Sequence, residues 1–138
     1  MEKVVFLDRQ SLNANVRKPS FDHEWEEYDQ TLPHEAVLRL SDATIALTNK
    51  VPIRKETLDQ LPNLKMIAVA ATGYDVIDIG TCKDKGVSVA NIRNYAVNTV
   101  PEHTFALILA LKRNLIAYRD DILDGRWQKH DQFCFFDY

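Results

Sequence analysis

The 138-residue sequence predicts an α/β domain with a parallel sheet in a doubly wound layer arrangement. Two observations carry that class. Short, continuous apolar runs ("KVVFL", "ATIALT", "KMIAVA", "VSVA") recur along the first ninety residues. Segments of helical character separate most of them. Unbroken apolar runs suit parallel strands covered on both faces, because neither face then needs a polar residue.

The first strand is expected over Lys3–Leu7, ending at Asp8. The polar stretch from Asp8 to Phe21 reads as a loop or a poor helix. In His23–Thr31 the aromatic Trp25 and Tyr28 alternate with acids, which predicts a weak strand near a sheet edge. Thr31 is placed to cap a helix, with Pro33 in the first turn, where a missing N–H costs little. Ala36, Val37 and Leu40 supply its apolar face. A buried strand over Ala43–Thr48 follows, then a short helix over Arg54–Leu61, then a strand through "KMIAVA". Ile77–Lys85 reads as a helix closed by Gly86, and Val87–Ala90 as a fifth strand.

The last third has a different pattern. Thr99-Val100-Pro101-Glu102 matches a capping box, which predicts one helix from about Val100 to about Leu123, stopped by Gly125. Phe105–Leu111 is apolar on nearly every face and is expected to be buried all round. Beyond it, Trp127, Phe133, Phe135, Phe136 and Tyr138 need something to pack against. The expected domains are residues 1–98 and 99–138.

Composition excludes several classes. A net charge of −3 gives no reason to expect nucleic acid or an anionic membrane surface as partner. The N-terminus has no signal-peptide pattern, and Phe105–Leu111 is too short to span a bilayer. Cys82 and Cys134 fit no metal spacing and are expected as free thiols in a reducing compartment, with the cytoplasm as the default.

The run "AATGYDVIDIG" (Ala70–Gly80) places Thr72-Gly73 where a buried strand should end. Either a tight turn or a backbone that must approach a small anion explains a glycine there. "TGYDVIDI", then Gly86-Val87, then "VANIRNYAVNTVPEHTFALILALKRN" resembles the N-terminal part of the D-isomer-specific 2-hydroxyacid dehydrogenases. "NIRNYA" (Asn91–Ala96) is most similar to the glycerate dehydrogenase, or hydroxypyruvate reductase, branch. The resemblance extends over essentially the whole chain.

The resemblance implies a flavodoxin-like substrate domain, interrupted in the family by a Rossmann cofactor domain, with the active site in the cleft between them. It also implies hydride transfer between NAD or NADP and a 2-keto or 2-hydroxy acid. A family arginine binds the acid, and a histidine tuned by a glutamate supplies the proton. None of these three can be assigned to a residue here, so the catalytic set of this chain is empty. No G-x-G-x-x-G occurs, and Gly73, Gly80, Gly86 and Gly125 are not spaced to cradle a pyrophosphate.

The expectation is therefore the N-terminal, substrate-binding portion of a longer enzyme. Alone it should be inactive and bind no cofactor. The alternative is a self-standing binding or oligomerisation module; a glycine-rich strand-turn-helix soon after Tyr138 in the reading frame would decide for the enzyme.

Residue by residue, the resemblance implies that the N–H groups of Thr72 and Gly73 bind the substrate carboxylate and that Val100 approaches the nicotinamide ring. An ordinary core valine is an equal reading of Val100. Asn49 reads first as a turn residue and second as a cleft residue. Glu102 and His103 are not read as an acid/base pair, since the capping box accounts for Glu102 and a lone histidine is usually packed or solvated. Asp75 and Asp78 are read as local backbone acceptors, with Asp78 capping the next helix, rather than as a metal pair. Cys82 reads as a small core residue. The partner expected besides the small acid is a second copy of the chain, in a dimer formed through residues 99–138.

Overall fold

The computed structural model describes residues 1–131, and its chain divides into two units after Arg93. The first holds five strands: β1 (Glu2–Phe6), β2 (His23–Glu27), β3 (Ile45–Thr48), β4 (Met66–Val69) and β5 (Ser88–Asn91). All pair in parallel, in the order β2-β1-β3-β4-β5. This is the flavodoxin-like order, with its reversal between β1 and β3. The edge position expected from the mixed pattern of His23–Thr31 belongs to β2.

The connecting helices are α1 (Ala36–Arg39), α2 (Lys55–Leu58) and α3 (Ile79–Lys85). Val5 of β1 and Leu7 just beyond its end join Ala46, Ile67 and Val69 in a core cluster that also takes in Ala36, Leu40, Leu58 and Cys82 from the helical connections. Val4 and Phe6, on the opposite β1 face, are also fully buried, as expected for a parallel strand.

Several local expectations change. Thr31 is not the helix cap: its buried hydroxyl donates to the carbonyl of Leu7. A buried carbonyl beyond the end of β1 needs a donor more than a surface helix start does. The cap position falls on Leu32, whose N–H donates to the Glu35 carboxylate at 2.7 Å. Pro33–Glu35 forms a 3₁₀ turn before α1, and the helix expected over Arg54–Leu61 is a single turn. The ends of α3 follow expectation. The Asp78 carboxylate accepts from the Thr81 N–H at 2.9 Å, and Gly86 closes the helix at φ +71°.

The second unit is helical: α4 (Thr99–Lys112), α5 (Leu115–Leu123) and α6 (Arg126–Lys129). The single long helix is broken at Asn114, whose left-handed φ of +50° ends the run without glycine or proline. The capping box does not form. Thr99 lies inside α4, Asn98 takes the cap position, and no side chain caps it. None of the three helices buries a residue, and Phe105 and Leu111 are exposed, contrary to the expected all-round burial. The apolar stretch therefore presents its surface outward. Trp127 is exposed at 42%; Phe133, Cys134, Phe135, Phe136 and Tyr138 lie outside the described residues.

Candidate substrate-binding edge

At the carboxyl ends of β3 and β4 two loops run side by side. The Ala70 N–H donates to the Thr48 carbonyl at 2.8 Å, which joins them where they leave the sheet. They rejoin where Ile53 bridges Ile77: Ile53 N–H donates to Val76 O at 3.0 Å, and Asp78 N–H to Ile53 O at 3.1 Å. The segments between, Asn49–Pro52 and Ala71–Asp75, are the two lips of an edge site.

Asp8, at the end of β1, fixes the first lip. The residue is 5% exposed, and its carboxylate accepts the N–H of Asn49 at 2.9 and 3.2 Å and of Lys50 at 2.6 Å. Thr48 closes the same turn, its hydroxyl accepting the Val51 N–H at 3.0 Å. The Asn49 side chain donates to the Ser11 carbonyl at 3.2 Å, which favours the turn reading of that residue.

Asn91 at the end of β5 fixes the second lip, its amide donating to the Thr72 carbonyl at 2.7 Å. In a trans peptide C=O and N–H point in opposite directions, so this bond aims the Gly73 N–H away from β5. The Ile92 N–H donates to Ala71 O at 3.0 Å and holds the same loop. Among the described residues, the N–H groups of Thr72, Gly73 and Tyr74 donate to no protein acceptor. All three residues are exposed. A run of free, neighbouring N–H groups is the donor set of an anion-binding nest.

Gly73 has no need of a left-handed backbone. A Cβ there would lie 3.2 Å from Asp75 Oδ1, so its value is close approach rather than φ. Asp75 makes no hydrogen bond among the described residues, unlike the local acceptor expected. Asp78 behaves as expected: the Thr81 N–H it accepts holds its carboxyl below the usual range. Cys82 is buried in α3, and burial pushes its thiol up, so it packs as a small core residue. No cluster of three or more metal-ligating side chains occurs among the described residues.

Val100 is the second residue of α4, in the second unit, and is 60% exposed, which removes the core-valine reading within this chain. An exposed valine can offer a nicotinamide only an apolar contact. Among the described residues no glycine-rich loop forms a pyrophosphate cradle: Gly80 lies inside α3, while Gly86 and Gly125 flank helices. The described residues alone do not fit a dinucleotide.

The class these features define is an open parallel α/β domain with exposed, unpaired backbone N–H groups at the carboxyl edge of its sheet. The chain belongs to the D-isomer specific 2-hydroxyacid dehydrogenase family, whose catalytic-domain model matches residues 4–128. It is 56% identical to a glycerate dehydrogenase of Methylorubrum extorquens over 99% of its own length and 44% of that protein. It is 33% identical to a hydroxypyruvate reductase of Blautia hydrogenotrophica, over 99% and 44% respectively. Among solved structures, an acyclic imino acid reductase in complex with NADPH and D-Arg superposes with a TM-score of 0.74 at 26% identity, over 99% of this chain and 45% of that one. The chain thus spans under half the length of the relatives it matches. No helix among the described residues is long and apolar enough to cross a membrane.

Proposed function

We propose that this chain is the substrate-binding portion of an NAD(P)-dependent D-2-hydroxyacid dehydrogenase acting on hydroxypyruvate and D-glycerate in the cytoplasm. The free N–H groups of Thr72 and Gly73 carry the reading, because they form a donor pair at the place where an open α/β sheet binds its ligand. In it, these two groups hold the substrate carboxylate. Asn91 acts behind them, keeping the Thr72–Gly73 peptide turned outward. The identity to a glycerate dehydrogenase supports the choice of acid.

The reading divides labour along the chain. Residues 1–98 supply the carboxylate edge. Residues 99–138 lead toward a cofactor domain, with Val100 contacting the nicotinamide, and pair with a second copy through the apolar faces of α4 and α5. The proton-transfer groups lie outside this chain, so the 138 residues alone neither reduce hydroxypyruvate nor bind NADH. Turnover with NADH by the purified 138-residue chain would refute that division.

The carboxylate edge is tested by Gly73→Pro in the full-length enzyme, which deletes one donor. Loss of one hydrogen bond to a charged group is expected to raise KM for hydroxypyruvate about tenfold or more. An unchanged KM in a folded variant would remove Gly73 from the site.

A further inference from the structure

We infer that the slot between α3 and β5 binds an organic anion with an apolar body, an aryl or alkyl monocarboxylate. The slot is an open cleft of about 450 Å³ beside β5, the end strand in the order β2-β1-β3-β4-β5. Its walls include Ile79 of α3, Val89 of β5 and the ring of Tyr74. Ile79 and Tyr74 are 40% and 52% exposed, so this apolar surface is not used up by the core. An apolar wall in a concave site favours a ligand with apolar surface of its own.

The charged groups around these walls have one sign. Lys83 of α3 and Arg93, just beyond β5, line the slot, and no aspartate or glutamate among the described residues does. The chain as a whole has the opposite balance, a net charge of −3. Neither cationic head group makes a hydrogen bond or ion pair among the described residues, whereas Lys3, Lys55, Lys65 and Lys85 of the same unit all meet carboxylates. Unpaired cations beside an apolar wall suit the two ends of one ligand: a carboxylate for the cations and a hydrocarbon body for the wall. Arg93 can hold that carboxylate through two parallel N–H bonds.

Occupation of the slot bears on the neighbouring lip. Asn91 and Tyr74 also line it, and the Asn91 amide is the donor that holds the Thr72 carbonyl at 2.7 Å. The Gly73 N–H is aimed away from β5, and so away from the slot. A ligand carboxylate that draws the Asn91 amide to itself releases the Thr72 carbonyl, and the lip loses its orientation. This consequence, unlike the site itself, rests on the proposed function: the ligand then raises KM for the 2-keto acid.

The test is an amide NMR titration of the isotope-labelled 138-residue chain with naphthoate, with acetate and naphthol as controls. Naphthoate should saturate, with its largest shifts at the amides of Lys83, Val89 and Asn91. Acetate lacks the apolar body and naphthol lacks the charge, so each should bind at least about tenfold more weakly. Lys83→Gln together with Arg93→Gln should weaken naphthoate about tenfold, as expected for two solvent-exposed charge contacts. Both side chains are exposed, so the double variant keeps the fold and its urea midpoint. In the full-length enzyme, naphthoate should raise KM for hydroxypyruvate more in the wild type than in the double variant.

Equal naphthoate affinity in the wild type and the double variant would overturn the inference. So would naphthol binding as tightly as naphthoate, or shifts confined to Thr72–Tyr74 or to α4. Slot binding that leaves KM unchanged would uphold the site and count instead against the role given to Asn91 behind the lip, so the two failures are distinguishable.

Discussion

The two units of the chain handle apolar sequence in opposite ways. In the first, the strands and α1 to α3 close around a shared core, and Val4, Val5, Phe6, Leu7, Ala46 and Ile67 are fully buried. In the second, α4 carries an equally apolar run and buries none of it: Phe105, Leu107, Ile108, Leu109 and Leu111 are all more than half exposed. Both runs were fitted to a dry environment by composition. Only the first finds that environment within its own unit. Contiguous exposed apolar surface is the usual material of interaction surfaces, and this exposure is the ground for the proposed pairing of α4 with a second copy.

The largest expected effect sets the two units directly against each other. Ile67→Ala, in the middle of β4, should lower unfolding free energy by about 2–5 kcal/mol, the usual cost of a core truncation. Leu107→Ala should change it by less than about 0.5 kcal/mol in dilute solution, as for a surface site. Urea denaturation of both variants measures the contrast. Leu107→Asp should act on assembly instead. If the apolar face of α4 pairs with a second copy, this substitution lowers the sedimentation coefficient at high protein concentration. Equal costs for Ile67→Ala and Leu107→Ala would break the comparison, and so would a wild-type chain that stays strictly monomeric.

A smaller effect isolates the backbone. Gly86 and Gly125 both sit at helix boundaries with left-handed φ, +71° and +69°. A Cβ at Gly86 meets nothing within 4 Å, so Gly86→Ala costs only conformational strain, about 1 kcal/mol. That loss should appear in the cooperative unfolding of the sheet unit, because α3 contributes Cys82 to its core. Gly125→Ala carries a similar local strain but links helices that bury nothing. It should therefore reduce the helical circular-dichroism signal while leaving the urea midpoint of the sheet unit in place.

The same contrast explains what could be read from sequence. Features set by a few consecutive residues were legible: the Asp78 cap, the Gly86 stop and the edge character of β2, whereas the strand expected to run up to Thr72-Gly73 ends at Val69. Features set across the fold were not. Asp8 looked like a strand end, yet it holds two N–H groups more than forty residues away. Thr31 fitted a cap, but the Leu7 carbonyl claimed its hydroxyl. Asn91 was noticed for its motif, not for the bond that turns the Thr72–Gly73 peptide outward. The break at Asn114 escaped because a single asparagine adopts positive φ without the glycine or proline that usually announces it.

The smallest expected effect is electrostatic and again separates the units. In the sheet unit Lys3 of β1 reaches Glu26 of β2 at 3.1 Å and Asp42 at 2.8 Å, joining segments far apart in sequence. The Glu26 carboxyl is held below its usual range, first by the Tyr28 hydroxyl and then by Lys3, and Asp42 is held down by Lys3. In return, hydrogen bonds from Asp42 and Glu26 push the Lys3 ammonium above its usual value. A depressed carboxyl stabilises the fold above its unfolded pKa, about 4, and loses that contribution as pH falls through the lower folded value. A raised lysine stabilises below its unfolded pKa, near 10.5, and loses it as pH rises beyond. Between those limits the contribution is constant. In the helical unit, Arg119–Asp120 and Arg126–Asp121 link residues of the same short stretch, so breaking them releases no long-range contact. Lys3→Met should therefore flatten the fall in melting temperature below about pH 4 and the fall above about pH 10.5, with little change in slope between. Arg119→Met should leave the whole profile unaltered. Melts at pH 3, 7 and 11 suffice, and an unchanged acid limb in Lys3→Met would show that the β1–β2 charges do not report on the fold as a whole.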